Sequence, residues 1–251
     1  SLAPGVTWEM VPRATHVVTT AADEDDIPIG ASTSIREAVR EAVAGYGPAT
    51  ILFDPALAGT PLAIASGLSV PGGGALVIDA SGVTHGITLR GAPDLEDPVL
   101  SLGAAAATVI QNVAITQGPN GAITNQGALS LTDCRFSSNS SLFGGVVTTS
   151  GLLTAVGCEW NTNSGTALSL LGPATTSLTR CRILDGSTSM SGNIFNQGTL
   201  TIDASVIKGN SAQSGGALFN QGTLTVRRSS LENNSATFTG GALMNQGTAT
   251  F

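Results

Sequence analysis

One phrase recurs down the last third of the chain. Gly192-Asn193-Ile194-Phe195-Asn196-Gln197-Gly198-Thr199-Leu200-Thr201 returns as Gly216-Ala217-Leu218-Phe219-Asn220-Gln221-Gly222-Thr223-Leu224-Thr225. Shorter copies are Gly241-Ala242-Leu243-Met244-Asn245-Gln246-Gly247-Thr248 and, earlier, Gly121-Ala122-Ile123-Thr124-Asn125-Gln126-Gly127. Aligned on the asparagine, the steps are 24 residues (196 to 220) and 25 residues (220 to 245). A repeat of that length predicts a solenoid, in which each unit buries its apolar face only against its neighbours.

The unit is too short for two helices and a turn. Leu129-Ser130-Leu131, Leu200-Thr201-Ile202 and Leu224-Thr225-Val226 alternate apolar and small polar residues, the period of half-buried strands. Gly, Asn, Ser and Thr punctuate them at turn spacing. A second strand per repeat carries an apolar residue, expected at Phe136, Trp160, Ile183, Val206 and Leu231. The expected fold is all-β, a parallel β-helix of single-stranded rungs stacked about 4.8 Å apart.

Cys134, Cys158 and Cys181 each lie two residues before that apolar position, and Ala204 and Ser229 are expected to continue their column. An odd count in a column of small side chains reads as inward packing rather than a disulfide framework. No histidine joins the column to suggest a metal. Arg135, Glu159 and Arg182, expected on the outer face, alternate in sign, which avoids stacking like charges. Asn125, Asn196, Asn220 and Asn245 form a second expected ladder; Asn139, Asn163, Asn210 and Asn234 form a third. Asparagine tolerates left-handed turns, and stacked amides bond from rung to rung. Asn139-Ser140-Ser141 and Asn233-Asn234-Ser235 also fit the glycosylation pattern, though turn asparagines explain them more simply.

Residues before about 50 do not repeat. Ser34 followed by Glu37 is a capping-box pattern, and Ile35, Ala38, Val39, Ala42 and Val43 share one helical face. The reading is an N-terminal cap over residues 1–48, with a strand at 15–20 and a helix at 34–45 covering the first rung's open edge. Residues 49–251 form the β-helix, in eight to ten rungs, irregular to about 118 and regular over 119–251. Early strands are expected at 51–53, 62–64, 68–70, 75–78, 87–89, 99–102 and 108–115. The last repeat stops without a capping element, so end-to-end stacking of copies into a fibre is an alternative expectation.

Two family resemblances follow from these motifs. Val17-Val18-Thr19-Thr20-Ala21-Ala22-Asp23-Glu24-Asp25-Asp26 and Ser34-Ile35-Arg36-Glu37-Ala38-Val39, then Ile51-Leu52-Phe53-Asp54, resemble the CSLREA domain of bacterial surface and secreted proteins. Thr33 stands where that motif has its first cysteine, and Ile35 replaces leucine. Gly215-Gly216-Ala217-Leu218, Gly240-Gly241-Ala242-Leu243 and Phe136-Ser137-Ser138-Asn139 resemble the repeats of polymorphic outer-membrane proteins. The resemblance implies a right-handed, pectate-lyase-like β-helix on a bacterial surface or secreted.

Composition narrows the function classes. The net charge is −7 and Lys208 is the single lysine, which argues against nucleic acid as a partner. No apolar run reaches the roughly 18 residues that span a bilayer. A polysaccharide lyase or hydrolase would need clustered carboxylates with a base; the candidates are Arg90, Asp94, Glu96 and Asp97 in a turn-rich insertion. Asp23, Asp25 and Asp26 are candidate calcium ligands, although their spacing is no EF-hand and a solvated loop is the favoured account of them. No other cofactor is indicated. The favoured reading is a non-catalytic surface module, adhesin- or passenger-like, whose partner is an extracellular glycan or protein, or further copies of itself. The monotonous repeats are expected to leave no pocket-forming loops after residue 120.

Overall fold

The computed structural model describes residues 14–45, 47–189 and 191–251. Residues 1–13 of the expected cap lie outside the described residues. The chain winds into a parallel β-solenoid of about eight turns with about 24 residues per rung. Among the described residues every strand pairing is parallel, and one strip of eight strands runs from Leu62–Ile64 to Ser230–Glu232. A larger sheet covers two further sides. Leu68–Asp79 and Leu100–Gln111 each span both of these sides as one long strand. Later rungs break there at the Asn-Gln-Gly bend, as between Ile194–Asn196 and Thr199–Asp203.

The bend needs glycine because rungs touch backbone to backbone. A Cβ on Gly222 would sit 2.1 Å from the Gly198 carbonyl oxygen, and one on Gly247 2.1 Å from that of Gly222. The next corner is made by one left-handed residue per rung: Asn112, Asp133, Gly157, Arg180, Ala204 and Arg228 have φ of 54°, 52°, 66°, 52°, 48° and 48°. For the non-glycine members this conformation costs about 1–2 kcal/mol each. Cross-rung hydrogen bonds offset it, such as Asp133 N to Val156 O (2.9 Å) and Ala204 N to Arg227 O (3.1 Å).

The apolar interior is continuous from Val18 to Val226. Phe136 and Trp160 are 1% and 0% exposed and stack with ring centroids 5.0 Å apart. The expected inward register therefore holds over these rungs. It holds again at Ile183, 2% exposed, and slips by one residue only in the rung after that. Ile183 pairs with Ile207, which is 1% exposed, so Ile207 and not Val206 fills the interior. Ser205 and not Ala204 then continues the cysteine column, with Cys181 N donating to Ser205 Oγ (3.0 Å) and Ser205 N to Ser229 Oγ (3.0 Å). Val206 and Ile207 are both apolar, so hydropathy could not choose between them; the left-handed corner at Ala204 does.

Two early strands also differ from expectation. The segments 68–70 and 75–78 are one strand, Leu68–Asp79, with register shifts about Gly72. The expected strand over 108–115 is divided, because Asn112 takes the corner conformation between Leu100–Gln111 and Val113–Thr116.

At the front, Ala14–Val18 pairs with Ala49–Phe53 and extends the larger sheet. Helix Ile35–Ala44 turns Ile35, Ala38, Val39 and Ala42 inward. The capping box is complete: Glu37 N donates to Ser34 Oγ (3.1 Å) and Ser34 N to Glu37 Oε2 (2.7 Å).

Candidate functional site: a hydroxyl-lined trough on the third side

The residues singled out from the sequence fall into three groups. In the cap, the acidic run is engaged by arginines. Asp23 receives a two-pronged contact from Arg36 (Nε to Oδ1 2.8 Å, Nη2 to Oδ2 2.7 Å) and also accepts from Ala65 N (2.7 Å). Arg36 reaches on to Ser66 O (2.6 Å), so this pair ties the helix to the first rung. Asp25 pairs with Arg40, which also donates to Asp26 O (2.8 Å). Asp26 N donates to Glu37 Oε1 (3.0 Å). Glu37 is fully buried, and the hydrogen bond from Ser34 N, against the cost of burial, holds its carboxyl below the ordinary 4.5. The arrangement is that of a structural latch.

Arg90, Asp94, Glu96 and Asp97 are all exposed, and none takes part in an ion pair among the described residues. Their loop is pinned by Leu95, 3% exposed, and by Asn120 Nδ2 donating to Leu95 O (2.9 Å) and Glu96 O (3.0 Å). Among the described residues no three His, Cys, Asp or Glu side chains gather as a metal set.

The ladders are structural. Cys134, Cys158 and Cys181 are free thiols, each 1% exposed. The flanking thiols of Cys134 and Cys181, together with burial, push the Cys158 thiol up. Asn196 Nδ2 donates to Asn220 Oδ1 (2.7 Å), and Asn220 Nδ2 to Asn245 Oδ1 (2.6 Å). Asn125 heads the same register column but is separated from Asn196 by Thr149 and Leu170; its amide donates to Thr149 Oγ1 (2.9 Å). In the other ladder Asn139 is 1% exposed and donates to Ile115 O (2.9 Å), a placement that closes it to a glycan. On the outer face Arg182 pairs with Glu159 (3.3 Å) and Arg228 with Asp203, exposed contacts that solvent screening leaves with little net effect on stability.

Besides a cavity of about 370 Å³ at the latch, lined by Asp25, Arg36 and Arg40 among others, a concave surface lies on the third side of the coil, contrary to the expectation of no pocket after residue 120. It follows a column of serines, Ser140, Ser164, Ser187, Ser211 and Ser235, paired from rung to rung. Between that column and the next strand, the rung of Ser164 has three residues (165–167) before Leu168. The flanking rungs have six (141–146 and 188–193) before Val147 and Ile194. A short rung between two long ones leaves a depression. It holds two adjoining cavities of about 390 and 430 Å³. Ser140, Ser164 and Ser187 line the first, with Leu142, 74% exposed, at its rim. Ser169, Leu171, Phe195, Phe219 and Gln221 line the second.

Register explains the second cavity. Ser169, Phe195, Phe219 and Met244 are successive members of one column. Phe195 and Phe219 stack with centroids 5.7 Å apart and planes 7° apart, one ring per rung. Ser169 is 5% exposed and Phe219 7%, and nearby Thr166 donates to Gly192 O (3.3 Å). Gln221 accepts from Gln197 (3.2 Å) and donates to Gln246 (3.1 Å). None of the side chains lining either cavity is ionisable.

Residues 98–251, more than half of the chain, match the family described as the right handed beta helix region. This chain is a right-handed β-helix protein. No match was found among curated proteins or among solved structures. Within the β-helix family assignment, the trough is a feature of this chain's own rung lengths.

Proposed function

We propose that this β-helix is a non-catalytic module of a bacterial cell-surface or secreted protein, an adhesin- or passenger-like rod that takes an extracellular partner on its side. The observation that carries this reading is the lining of the trough. It offers hydroxyls, one side-chain amide and two stacked rings, and no carboxylate, imidazole or amine that could move a proton. The exposed quartet Arg90, Asp94, Glu96 and Asp97 adds no ion-paired or enclosed group to support cleavage. The CSLREA-like front end and the Gly-Gly-Ala-aliphatic repeats favour export. No described helix is long and apolar enough to cross a membrane.

The test is release of new reducing ends from a panel of neutral and acidic polysaccharides, with and without calcium. No release above a heat-denatured control is expected. Sustained turnover on any member would overturn the non-catalytic reading, and turnover that needs calcium would return Asp23, Asp25 and Asp26 to consideration.

A further inference from the structure

The geometry points to a further binding face, away from the trough, whose partner is the surface of ice. It stands apart from the lateral-binding reading above and uses none of the trough residues. On the side between the Asn-Gln-Gly bend and the left-handed corner, Thr175–Thr179, Thr199–Asp203, Thr223–Arg227 and Thr248–Thr250 pair in parallel with no shift of register. Their outward positions make two files. Thr175, Thr199, Thr223 and Thr248 are successive partners in one, and all four are exposed. Ser177, Thr201, Thr225 and Thr250 are successive partners in the other, preceded in register by Thr154.

Strand propensity does not account for this array. Threonine suits an outward position on any strand. Yet the eight-stranded strip of the same rungs carries Arg182, Leu184, Val206, Lys208, Ser230 and Glu232 at its outward positions, with no threonine among them. The repeat also keeps its outer pair where the residue between them changes, since Thr223-Leu224-Thr225 becomes Thr248-Ala249-Thr250. The selection acts on the pair of hydroxyl-bearing, β-branched side chains, not on the strand.

Spacing names the partner. Rungs repeat about every 4.8 Å, and residues i and i+2 of one strand lie about 6.6 Å apart. Water bonded tetrahedrally at about 2.75 Å repeats every ~4.5 Å along a prism face of ice and every ~7.3 Å across it. The mismatch of about 0.3 Å per rung stays under about 1 Å over the three steps of the array. Across the strand the mismatch of about 0.7 Å is met once, because there are two files. β-Branching restricts χ1, so each threonine presents its methyl and hydroxyl groups in repeating order. The floor is firm: Leu200, Ile202, Leu224 and Val226 lie directly behind and are at most 5% exposed. Along one border Gln197, Gln221 and Gln246 are bonded from rung to rung (3.2 and 3.1 Å).

Charge agrees. An ionised side chain pressed on ice would lose hydration with no counter-charge in return. Neither file holds an ionisable residue; Asp203 and Arg227 stand in the next outward column, at the corner. A nucleic acid or an anionic glycan finds no cation in the files, and a protein finds no aromatic or arginine anchor there.

The experiment follows single ice crystals in solutions of the whole chain by nanolitre osmometry, together with partition of the chain into slowly growing ice. Faceted crystals, a gap between melting and freezing temperatures, and enrichment in the ice over a co-dissolved globular protein are expected. Thr201→Lys and Thr223→Lys should each remove most of the gap and the enrichment. Both side chains face outward, so both variants should melt within a few degrees of the parent. Ser230→Lys, outward on the other strip, should leave the gap and the enrichment unchanged. Round crystals with no gap, and exclusion of the parent chain from ice, would overturn the proposal. Ice activity that survives both threonine variants, or falls as far in Ser230→Lys, would overturn it too. None of these outcomes bears on the trough, whose reading stands or falls by the polysaccharide assay.

Discussion

At the scale of single residues, two buried groups carry distinct predictions. Glu37 accepts from Ser34 N and Asp26 N inside the cap, and its pKa is lowered chiefly by the first of these bonds. A carboxyl whose folded pKa lies below its unfolded value contributes stability that is complete above about 4.5 and is lost as pH falls through the folded value. Glu37→Gln should therefore lower stability at neutral pH by roughly 1–3 kcal/mol and flatten the acid limb below pH 4.5. Urea melts of both proteins between pH 3 and 7 check this; an unchanged acid limb would assign that limb to other carboxylates. The thiols make the second case. Cys134, Cys158 and Cys181 are shielded, and Cys158 is pushed upward by its neighbours and by burial. Iodoacetamide at pH 8 is expected to label none of the three in the folded chain and all three in urea, read by mass spectrometry. Fast native labelling would place the column at the surface.

At the scale of one rung, stability comes from corners as much as from strands. Asn210 follows the left-handed Gly209, turns inward and bonds in three directions. Its Oδ1 accepts from Gly186 N (3.0 Å), and its Nδ2 donates to Ile183 O (2.9 Å) and Asn234 Oδ1 (3.0 Å). Asn210→Ala leaves buried backbone groups of the preceding rung unpaired, an expected loss of roughly 2–4 kcal/mol in chemical unfolding. A cost under about 0.5 kcal/mol would mean that water replaces the amide and that the corner is open. The ladder was legible in the sequence as the Asn139, Asn163, Asn210 and Asn234 spacing; its partners were not. Gly186 stands in the column without an amide, and its backbone N–H is served by the next rung's asparagine.

At the scale of the whole molecule, contacts run between adjacent rungs, so a local weakness stays local. Loosening the latch by Glu37→Gln should speed hydrogen exchange around Ile51 and Ile64 while Leu168 to Ile202 exchange as in the parent. Uniform acceleration along the coil would show that the rungs open as one unit instead. The same one-dimensional logic explains the trough. The rung starting at Ser164 is three residues shorter than its neighbours on the third side, yet it carries two extra residues in the Leu171–Ala174 bend before the next strand. The repeat from Ser164 to Ser187 is thus 23 residues, one fewer than the common step, and the exchange within it is almost invisible to spacing.

The sequence by itself determined the rung, the inward cysteine column, the spacing of the asparagine columns, the capping box from Ser34 to Glu37, and the absence of lysine-rich charge. These are properties of spacing and composition, which the chain states directly. Tertiary structure alone decided that Ile207 and not Val206 faces inward, since two neighbouring apolar residues are equivalent until a corner residue fixes the pleat. It alone turned Asp23 and Asp25 to Arg36 and Arg40, residues 13 and 15 positions away. It alone brought Ser169, Phe195 and Phe219 into one column, because that column exists only once successive rungs are stacked in register.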